Sequence, residues 1–175
     1  MLLKGPNGSG KTSLLRALAG LLPLETGTVE LNGVRFRSDP VRFLRSLGWL
    51  GHKDGVKGEL SVRRNLAFTL RLAGSKGKEA ELLEKAGLSG LEERVASQLS
   101  YGQRRRLALA GLIGSNPPLW LLDEPDANLD AQGREWLQRE LGSHLDGGGC
   151  AVLAGHRADW DFPGPVAQLF LGVGR

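Results

Sequence analysis

This sequence has almost no cysteine, and it contains neither a long apolar stretch nor a targeting segment. Its 175 residues include one cysteine, Cys150, so no internal disulfide can form, and we expect that residue to be a small core side chain. No apolar run approaches the length of about 18 residues that indicates a membrane-spanning helix. No N-terminal charged-then-apolar segment with a small-residue cleavage site is present either, so we expect the protein to stay in the cytoplasm.

The composition is that of a globular domain with a mild positive charge. Apolar residues make up 41% of the chain and charged residues 24%, with a formal net charge of +4. This charge permits contact with nucleic acid or an anionic membrane but does not require it. The run Arg104-Arg105-Arg106 lies on a predicted helix among several leucines, so we expect at least one of these arginines on a solvated face. We expect no nucleic-acid partner.

Residues 5–12 form the most informative motif, because they match the phosphate-loop pattern G-x-x-x-x-G-K-[ST] at every fixed position. Glycines let backbone N–H groups converge on an anionic phosphate. The lysine places a compact positive charge against the β- and γ-phosphates, and the threonine hydroxyl is a hard oxygen ligand for Mg²⁺. A short strand over residues 1–4 and a helix over about residues 11–21 flank the loop. The predicted phosphate-binding residues are Gly5, Pro6, Asn7, Gly8, Ser9, Gly10, Lys11 and Thr12.

The remaining pattern predicts an α/β fold with a helical insertion. Strands at 28–31 and 34–36 flank Asn32-Gly33, a strong hairpin signal. A short helix at 41–47 and a strand at 49–50 lead to helices at 61–73 and 78–86. The apolar run 119–122 predicts a strand buried on both faces of a parallel sheet. A helix at 131–145 and strands at 151–154 and 166–171 complete one domain, residues 1–175, in which residues 52–113 form a helical subdomain.

Two carboxylates follow the buried strand, and they suggest a hydrolytic role. Asp123 is placed to hold the Mg²⁺ shell together with Thr12. Glu124 is placed to orient or deprotonate an attacking water. His156 follows the next strand and could contact the γ-phosphate, although a lone histidine is more often structural.

The segment 99–103, Leu-Ser-Tyr-Gly-Gln, resembles the L-S-G-G-Q signature of ABC-transporter ATPases, with Tyr101 in place of a glycine. In the same order, residues 5–12 match the Walker A loop, 119–124 the Walker B strand, 127–130 the D-loop, and His156 the switch histidine. The resemblance implies an ATP hydrolase of the phosphate-loop fold that uses Mg²⁺. It also implies that two cassettes pair head to tail, with ATP between the Walker A loop of one and Ser100, Gly102 and Gln103 of the other.

The residue at the start of the helical insertion, His52, indicates a particular group within the family. Most members of the family have a glutamine where this chain has His52, which we expect to contact the metal-bound water and to report the nucleotide to the membrane partner. The run Gly-His-x-x-Gly-Val-Lys-x-Glu-Leu at 51–60 resembles the haem-exporter ATPases of cytochrome c biogenesis. This implies integral membrane permease subunits as partners and a peripheral location on the cytoplasmic face of the inner membrane.

Two questions remain open from the sequence. Relatives have two strands before the Walker A strand, with an aromatic residue that stacks on adenine, whereas only four residues precede Gly5 here. We therefore expect a cassette that lacks its N-terminal strands and exposes residues 1–4 as an unpaired sheet edge. The alternative functions are an ATPase of another transporter, a soluble ABC ATPase outside transport, and a non-catalytic regulatory fragment.

Overall fold

The computed structural model describes residues 1–155, 160–162 and 164–172 of the chain. The described residues divide into two compact units. The first, here the sheet unit, contains 1–51, 117–125 and the described residues from 144 onward. The second, here the helical unit, contains 52–116 and 126–143.

Strands and helices alternate along the chain, as the sequence predicted. In chain order the elements are β1 (Leu2–Lys4), α1 (Lys11–Leu18), β2 (Glu30–Leu31), β3 (Val34–Arg35), α2 (Pro40–Arg45), β4 (Leu47–Leu50), α3 (Val62–Leu72), α4 (Glu79–Lys85), a 3₁₀ turn (Ala96–Gln98), α5 (Tyr101–Ser115), β5 (Leu119–Asp123), α6 (Ala131–Asp146), β6 (Cys150–Ala154) and β7 (Gln168–Phe170). The mixed α/β fold with a parallel sheet is therefore confirmed.

The sheet unit is built on five parallel strands in the order β4-β5-β6-β1-β7. The expectation that residues 1–4 form an exposed edge is wrong, because β1 is paired on both sides. Leu3 pairs with Ala154 of β6 and with Leu169 of β7. Both partner strands come from the far end of the chain, so counting the strands that precede β1 could not reveal them.

The core of the sheet unit lies between α1 and the sheet. Leu15 of α1 is fully buried and clusters with Leu3 of β1 and Leu121 of β5. Strand β5 is buried along most of its length, as its continuous apolar run predicted. Helix α1 ends at Leu18, three residues earlier than expected, because Gly20 turns the chain into the left-handed region at φ 71°.

Local sequence signals account for the smaller elements of the sheet unit. Asn32 and Gly33 have φ values of 50° and 77°, as a two-residue turn between antiparallel strands requires. Helix α2 begins where the Asp39 carboxylate accepts a hydrogen bond from the Arg42 N–H at 3.0 Å, with Pro40 in the first turn.

In the helical unit, α5 packs against both α3 and α4. Gly111 and Gly114 permit this approach: a Cβ on Gly111 would lie 3.0 Å from the Thr69 methyl, and one on Gly114 would overlap Leu70 and Leu82. The buried Asn65 amide holds the segment before α3 through hydrogen bonds to Lys57 and Leu60, among others. None of the helices in the described part of the chain combines the length and the apolar character needed to cross a bilayer.

One expectation about an individual side chain is wrong, and the three arginines are more buried than their number suggested. Cys150 is exposed rather than part of the core, because it is the first residue of β6 and burial begins one residue later. Of the three consecutive arginines, Arg105 and Arg106 are 4% and 8% exposed, and only the half-buried Arg104 retains contact with solvent. Helix α5 therefore buries two of its three arginines inside the helical unit.

A buried histidine closes the junction between α6 and β6. The ring of His144 stacks on Trp120 with centroids 4.0 Å apart, and its Nε2 lies 3.0 Å from the Cys150 carbonyl. Gly149 makes room for this ring, since a Cβ there would overlap it. Burial lowers the pKa of His144, with the hydrogen bond to Cys150 acting weakly in the opposite direction.

We predict that His144 makes stability depend on pH below about 6.5, the ordinary histidine value. The folded chain holds the His144 proton more weakly than the unfolded chain does. The contribution of His144 to the free energy of unfolding is therefore complete above that pH. It is lost as pH falls towards the lowered pKa, with a slope of at most about 1.4 kcal/mol per pH unit for one proton.

Denaturant unfolding at a series of pH values measures this slope. In His144→Phe, which keeps an aromatic stack without a titrating group, the free energy of unfolding should vary less between pH 5 and about 6.5. Identical pH profiles for the two proteins would contradict the assignment.

Candidate functional site

The loop between β1 and α1 has the backbone of a phosphate cradle. Gly5, Gly8 and Gly10 have φ values of 147°, 78° and 93°, in the region that favours glycine. A Cβ on Gly5 would overlap the Leu171 carbonyl and lie 2.7 Å from the Ser9 hydroxyl oxygen. The loop leads directly into the N-terminus of α1, where unpaired N–H groups attract anions.

Two side chains of this loop are arranged to bind an anion. The Lys11 side chain is buried and donates hydrogen bonds to the carbonyls of Gly5 and Pro6 at 2.8 and 2.9 Å. Its ammonium group is therefore held over the loop instead of extending into solvent. The Ser9 hydroxyl is buried with no hydrogen-bond partner among the described residues. A buried hydroxyl without a partner is costly, and a phosphate oxygen would satisfy it.

Thr12 and Asp123 are 111 positions apart in the chain but meet in the structure. The Thr12 hydroxyl donates a hydrogen bond of 2.8 Å to the Asp123 carboxylate, which is buried at the end of β5. A hydroxyl and a carboxylate oxygen at this separation are the hard ligands that Mg²⁺ prefers. The two residues therefore fit the metal that the sequence predicted, and they stand beside the phosphate loop.

Glu124 follows β5 in an unusual backbone conformation. Its φ is +47°, and its N–H donates a 2.7 Å hydrogen bond to the Ala154 carbonyl of β6. Left-handed backbone at a residue other than glycine costs of the order of 1–3 kcal/mol and often marks functional sites. The half-buried Glu124 directly follows Asp123 in the chain, so its backbone begins at the end of β5 where the Thr12–Asp123 pair forms.

The segment 99–103 forms the start of α5. The Ser100 hydroxyl oxygen accepts from the Gln103 N–H at 3.1 Å, and the Gln103 side-chain oxygen accepts from the Ser100 N–H at 3.0 Å. This capping box starts the helix at Tyr101. Exposed Ser100 keeps its hydroxyl hydrogen for a phosphate oxygen, whereas the Gln103 side-chain oxygen already serves the cap.

The two remaining candidate residues are histidines. His52 is exposed in the bend that follows β4, at the start of the helical unit. His156 lies outside the described residues. Within the described part of the chain, no cluster of three or more histidine, cysteine, aspartate or glutamate residues could hold a metal, so Thr12 and Asp123 are the metal candidates that the structure brings together.

The structure also reveals contacts that the sequence analysis missed. Arg106 of α5 forms an ion pair with Asp130, the residue before α6. The capping box had a readable signal in its Ser-x-x-Gln spacing. The Arg106–Asp130 pair had none, because 24 positions separate its members and no local pattern connects them.

Comparison with known families identifies one match that covers most of the chain. A family model described as ABC transporter matches residues 1–127. The match includes the phosphate loop, segment 99–103, Asp123 and Glu124.

Individual relatives agree with this match. The chain is 46% identical over 172 residues to the cytochrome c biogenesis ATP-binding export protein CcmA of Bordetella bronchiseptica, covering 97% of this chain and 77% of that protein. It is 47% identical over 161 residues to the protein of the same name from Xanthomonas oryzae, covering 90% and 74%. Among solved structures, a dimeric ATP-binding cassette, MJ0796, bound to ADP and Pi has the same fold, with a TM-score of 0.84 at 23% identity over 99% of this chain and 82% of that one.

Lys11→Ala should weaken nucleotide binding. The Lys11 ammonium is the cation that the loop carbonyls hold in place. Hydrogen bonds to charged groups are worth about 1.5–3 kcal/mol, so we expect ATP affinity to fall by about 10- to 100-fold. Titration with a fluorescent ATP analogue in the presence of Mg²⁺ measures the change.

Lys4→Ala provides the matched control, because Lys4 lies in the same unit with its ammonium near the Phe170 ring. We expect that variant to bind nucleotide as the wild type does. Equal affinities for Lys11→Ala and the wild type would rule out the phosphate-loop assignment.

Proposed function

The chain belongs to the ABC transporter family, and from that premise we propose that it is the ATP-hydrolysing subunit of an exporter in cytochrome c biogenesis. In this role it binds ATP and Mg²⁺ at the phosphate loop and drives an integral membrane permease. Its place would be peripheral, on the cytoplasmic face of the inner membrane.

The hydrogen bond between Thr12 and Asp123 is the observation that carries the proposal. It brings a Walker A hydroxyl and a Walker B carboxylate to the same point beside Lys11. A loop that binds anions for another purpose would not need this contact. Bound Mg²⁺ would neutralise the charge that develops on the β- and γ-phosphates. Lys11 and the loop N–H groups would fix the position of the phosphates.

Hydrolysis would use Glu124 as the general base. Glu124 directly follows Asp123, on backbone anchored to β6 through Ala154. A base in this position accepts a proton from water as that water attacks the γ-phosphate. His156 would contact the γ-phosphate, as its match to the switch histidine implies.

A second copy of the chain would complete the site. We propose head-to-tail pairing, in which the start of α5 in one cassette, with Ser100 and Gly102, meets the nucleotide of the other. Gln103 would act there mainly through its cap on Ser100. ATP would hold the pair together and hydrolysis would release it, so that phosphate chemistry becomes motion of the permease. The helical subdomain, residues 52–113, would transmit that motion.

Haem is the cargo that we propose. The run Gly-His-x-x-Gly-Val-Lys-x-Glu-Leu at 51–60 supports it, and so do the relatives whose names place them in cytochrome c biogenesis. The test is to supply this chain to cells that lack their own export ATPase of cytochrome c biogenesis and to stain for covalently bound haem. Restored c-type cytochromes would support the cargo. ATP hydrolysis without such restoration would favour another transporter or a soluble ABC ATPase.

Glu124→Gln should bind ATP with near wild-type affinity but hydrolyse it about 10²–10⁴-fold more slowly, the usual worth of a positioned general base. Because cassette closure needs ATP but not hydrolysis, the variant should accumulate as an ATP-bound dimer. Phosphate release and size-exclusion chromatography with ATP measure the two effects.

A matched control is Glu84→Gln, which makes the same change on the exposed surface of α4 and should hydrolyse ATP like the wild type. A Glu124→Gln protein that turns over at the wild-type rate, or that stays monomeric with ATP, would contradict the role of Glu124.

His52→Ala should separate hydrolysis from coupling. His52 is exposed outside the phosphate loop, so we expect ATP affinity to change less than about twofold, under 0.5 kcal/mol. Stimulation of hydrolysis by the reconstituted permease should be lost. Lys53→Ala, which removes the neighbouring exposed side chain, should retain it. Equal stimulation of the wild type and His52→Ala would exclude the coupling role.

A further inference from the structure

Helix α5 and the D-loop, residues 127–130, are joined at two points within the helical unit. Near the start of the helix, a Cβ on Gly102 would lie 2.7 Å from the Asn128 carbonyl oxygen, so only glycine permits the observed approach. One turn further along, the Arg106 guanidinium pairs with the Asp130 carboxylate at 2.5 Å. The start of α5, which Ser100 caps, therefore lies directly against the D-loop.

The Arg106 guanidinium lies between two hydrogen-bond acceptors and close to two glycines. Its Nη1 donates a 3.0 Å hydrogen bond to the carbonyl of Ala86, the residue that follows α4, while Nη2 donates to Asp130. A Cβ on Gly87 would lie 2.9 Å from Nη1, and one on Gly133 would lie 3.1 Å from Nε. The planar fork of arginine reaches both acceptors at once, which the single ammonium of lysine does not do in the same geometry.

The D-loop side of the contact is equally constrained. Asp130 also accepts a 2.8 Å hydrogen bond from the Gly133 N–H, so one carboxylate oxygen caps α6 and binds Arg106. The Gly133 N–H and then the Arg106 side chain lower the pKa of Asp130, which keeps the carboxylate ionised. Arg134 adds a 2.6 Å hydrogen bond to the Leu129 carbonyl. Asn128, the residue before Leu129, has φ 62°.

We propose that Arg106 is a positioning residue that locks the D-loop to α5, so that Ser100 and Gly102 meet the nucleotide of the partner cassette from a fixed position. This rests on the head-to-tail pairing of the proposed function. Arg106 itself is buried and need not touch the nucleotide. It acts by fixing where Ser100 and Gly102 lie, and a misplacement of about 1 Å at such groups can reduce a rate about 10²-fold.

Asp130→Asn is the cleanest test, because asparagine keeps a cap for α6 but removes the charge that pairs with Arg106. We expect kcat for ATP hydrolysis to fall about 10- to 100-fold, while ATP affinity and thermal stability stay close to wild type. Arg106→Lys keeps the charge but not the fork, and it should lower kcat in the same direction. The double variant should be no slower than the slower single variant, since both changes break one contact.

Glu93→Gln is the matched control. It removes one partner of the exposed Arg63–Glu93 ion pair in the same unit and should leave kcat unchanged. Wild-type kcat in Asp130→Asn would overturn the proposal. So would parallel losses of kcat, affinity and thermal stability, which indicate a purely structural role.

Hydrogen exchange tests the lock independently of catalysis. Amides of residues 127–130 should exchange faster in Asp130→Asn than in the wild type, while those of α3 stay protected. Unchanged exchange would overturn the lock whether or not the protein hydrolyses ATP. If the wild type itself failed to hydrolyse ATP, the proposed function would fail, yet faster exchange in the variant would still support the contact.

Discussion

The meeting of Thr12 with Asp123 is the constraint on which the rest of the sheet unit depends. It requires the first turn of α1 to lie at the carboxyl end of β5, although β1 and β5 are separated in the sheet by β6. Parallel strands bring their carboxyl ends to one edge, and α1 packs across β5 and β6 through Leu15. The continuous burial of β5 fixes the height of Asp123, so the apolar core sets the geometry of the polar site.

Backbone conformations that are costly elsewhere are concentrated around this edge. Three glycines of the phosphate loop and the non-glycine Glu124 all have positive φ. The hydrogen bond from the Glu124 N–H to the Ala154 carbonyl helps to hold Glu124 in this conformation. Such conformations persist only where the surrounding structure determines them. Here the paired strands β5 and β6 provide that support, so the rigid sheet and the strained turn beside it belong to one arrangement.

The helical unit differs from the sheet unit in how it accommodates a buried charged side chain, that of Arg106. Arg106 is buried, and the cost of removing it from water is offset by two acceptors, the Ala86 carbonyl and the largely exposed Asp130 carboxylate. Glycines at 87, 102 and 133 make room for these contacts. Small residues therefore let polar groups approach each other here, whereas Gly111 and Gly114 of the same unit let apolar side chains pack closely.

Local patterns in the sequence determined much of this protein. The phosphate loop, the Asn32-Gly33 turn and the apolar strand before Asp123 were all predictable, because each depends on residues within a few positions of one another. Only the tertiary structure decided that β1 is an inner strand, that Cys150 is exposed, that Arg105 and Arg106 are buried, and that Arg106 pairs with Asp130. These outcomes depend on which distant segments pack together, and a single sequence carries no periodicity or spacing that records a contact between residues dozens of positions apart.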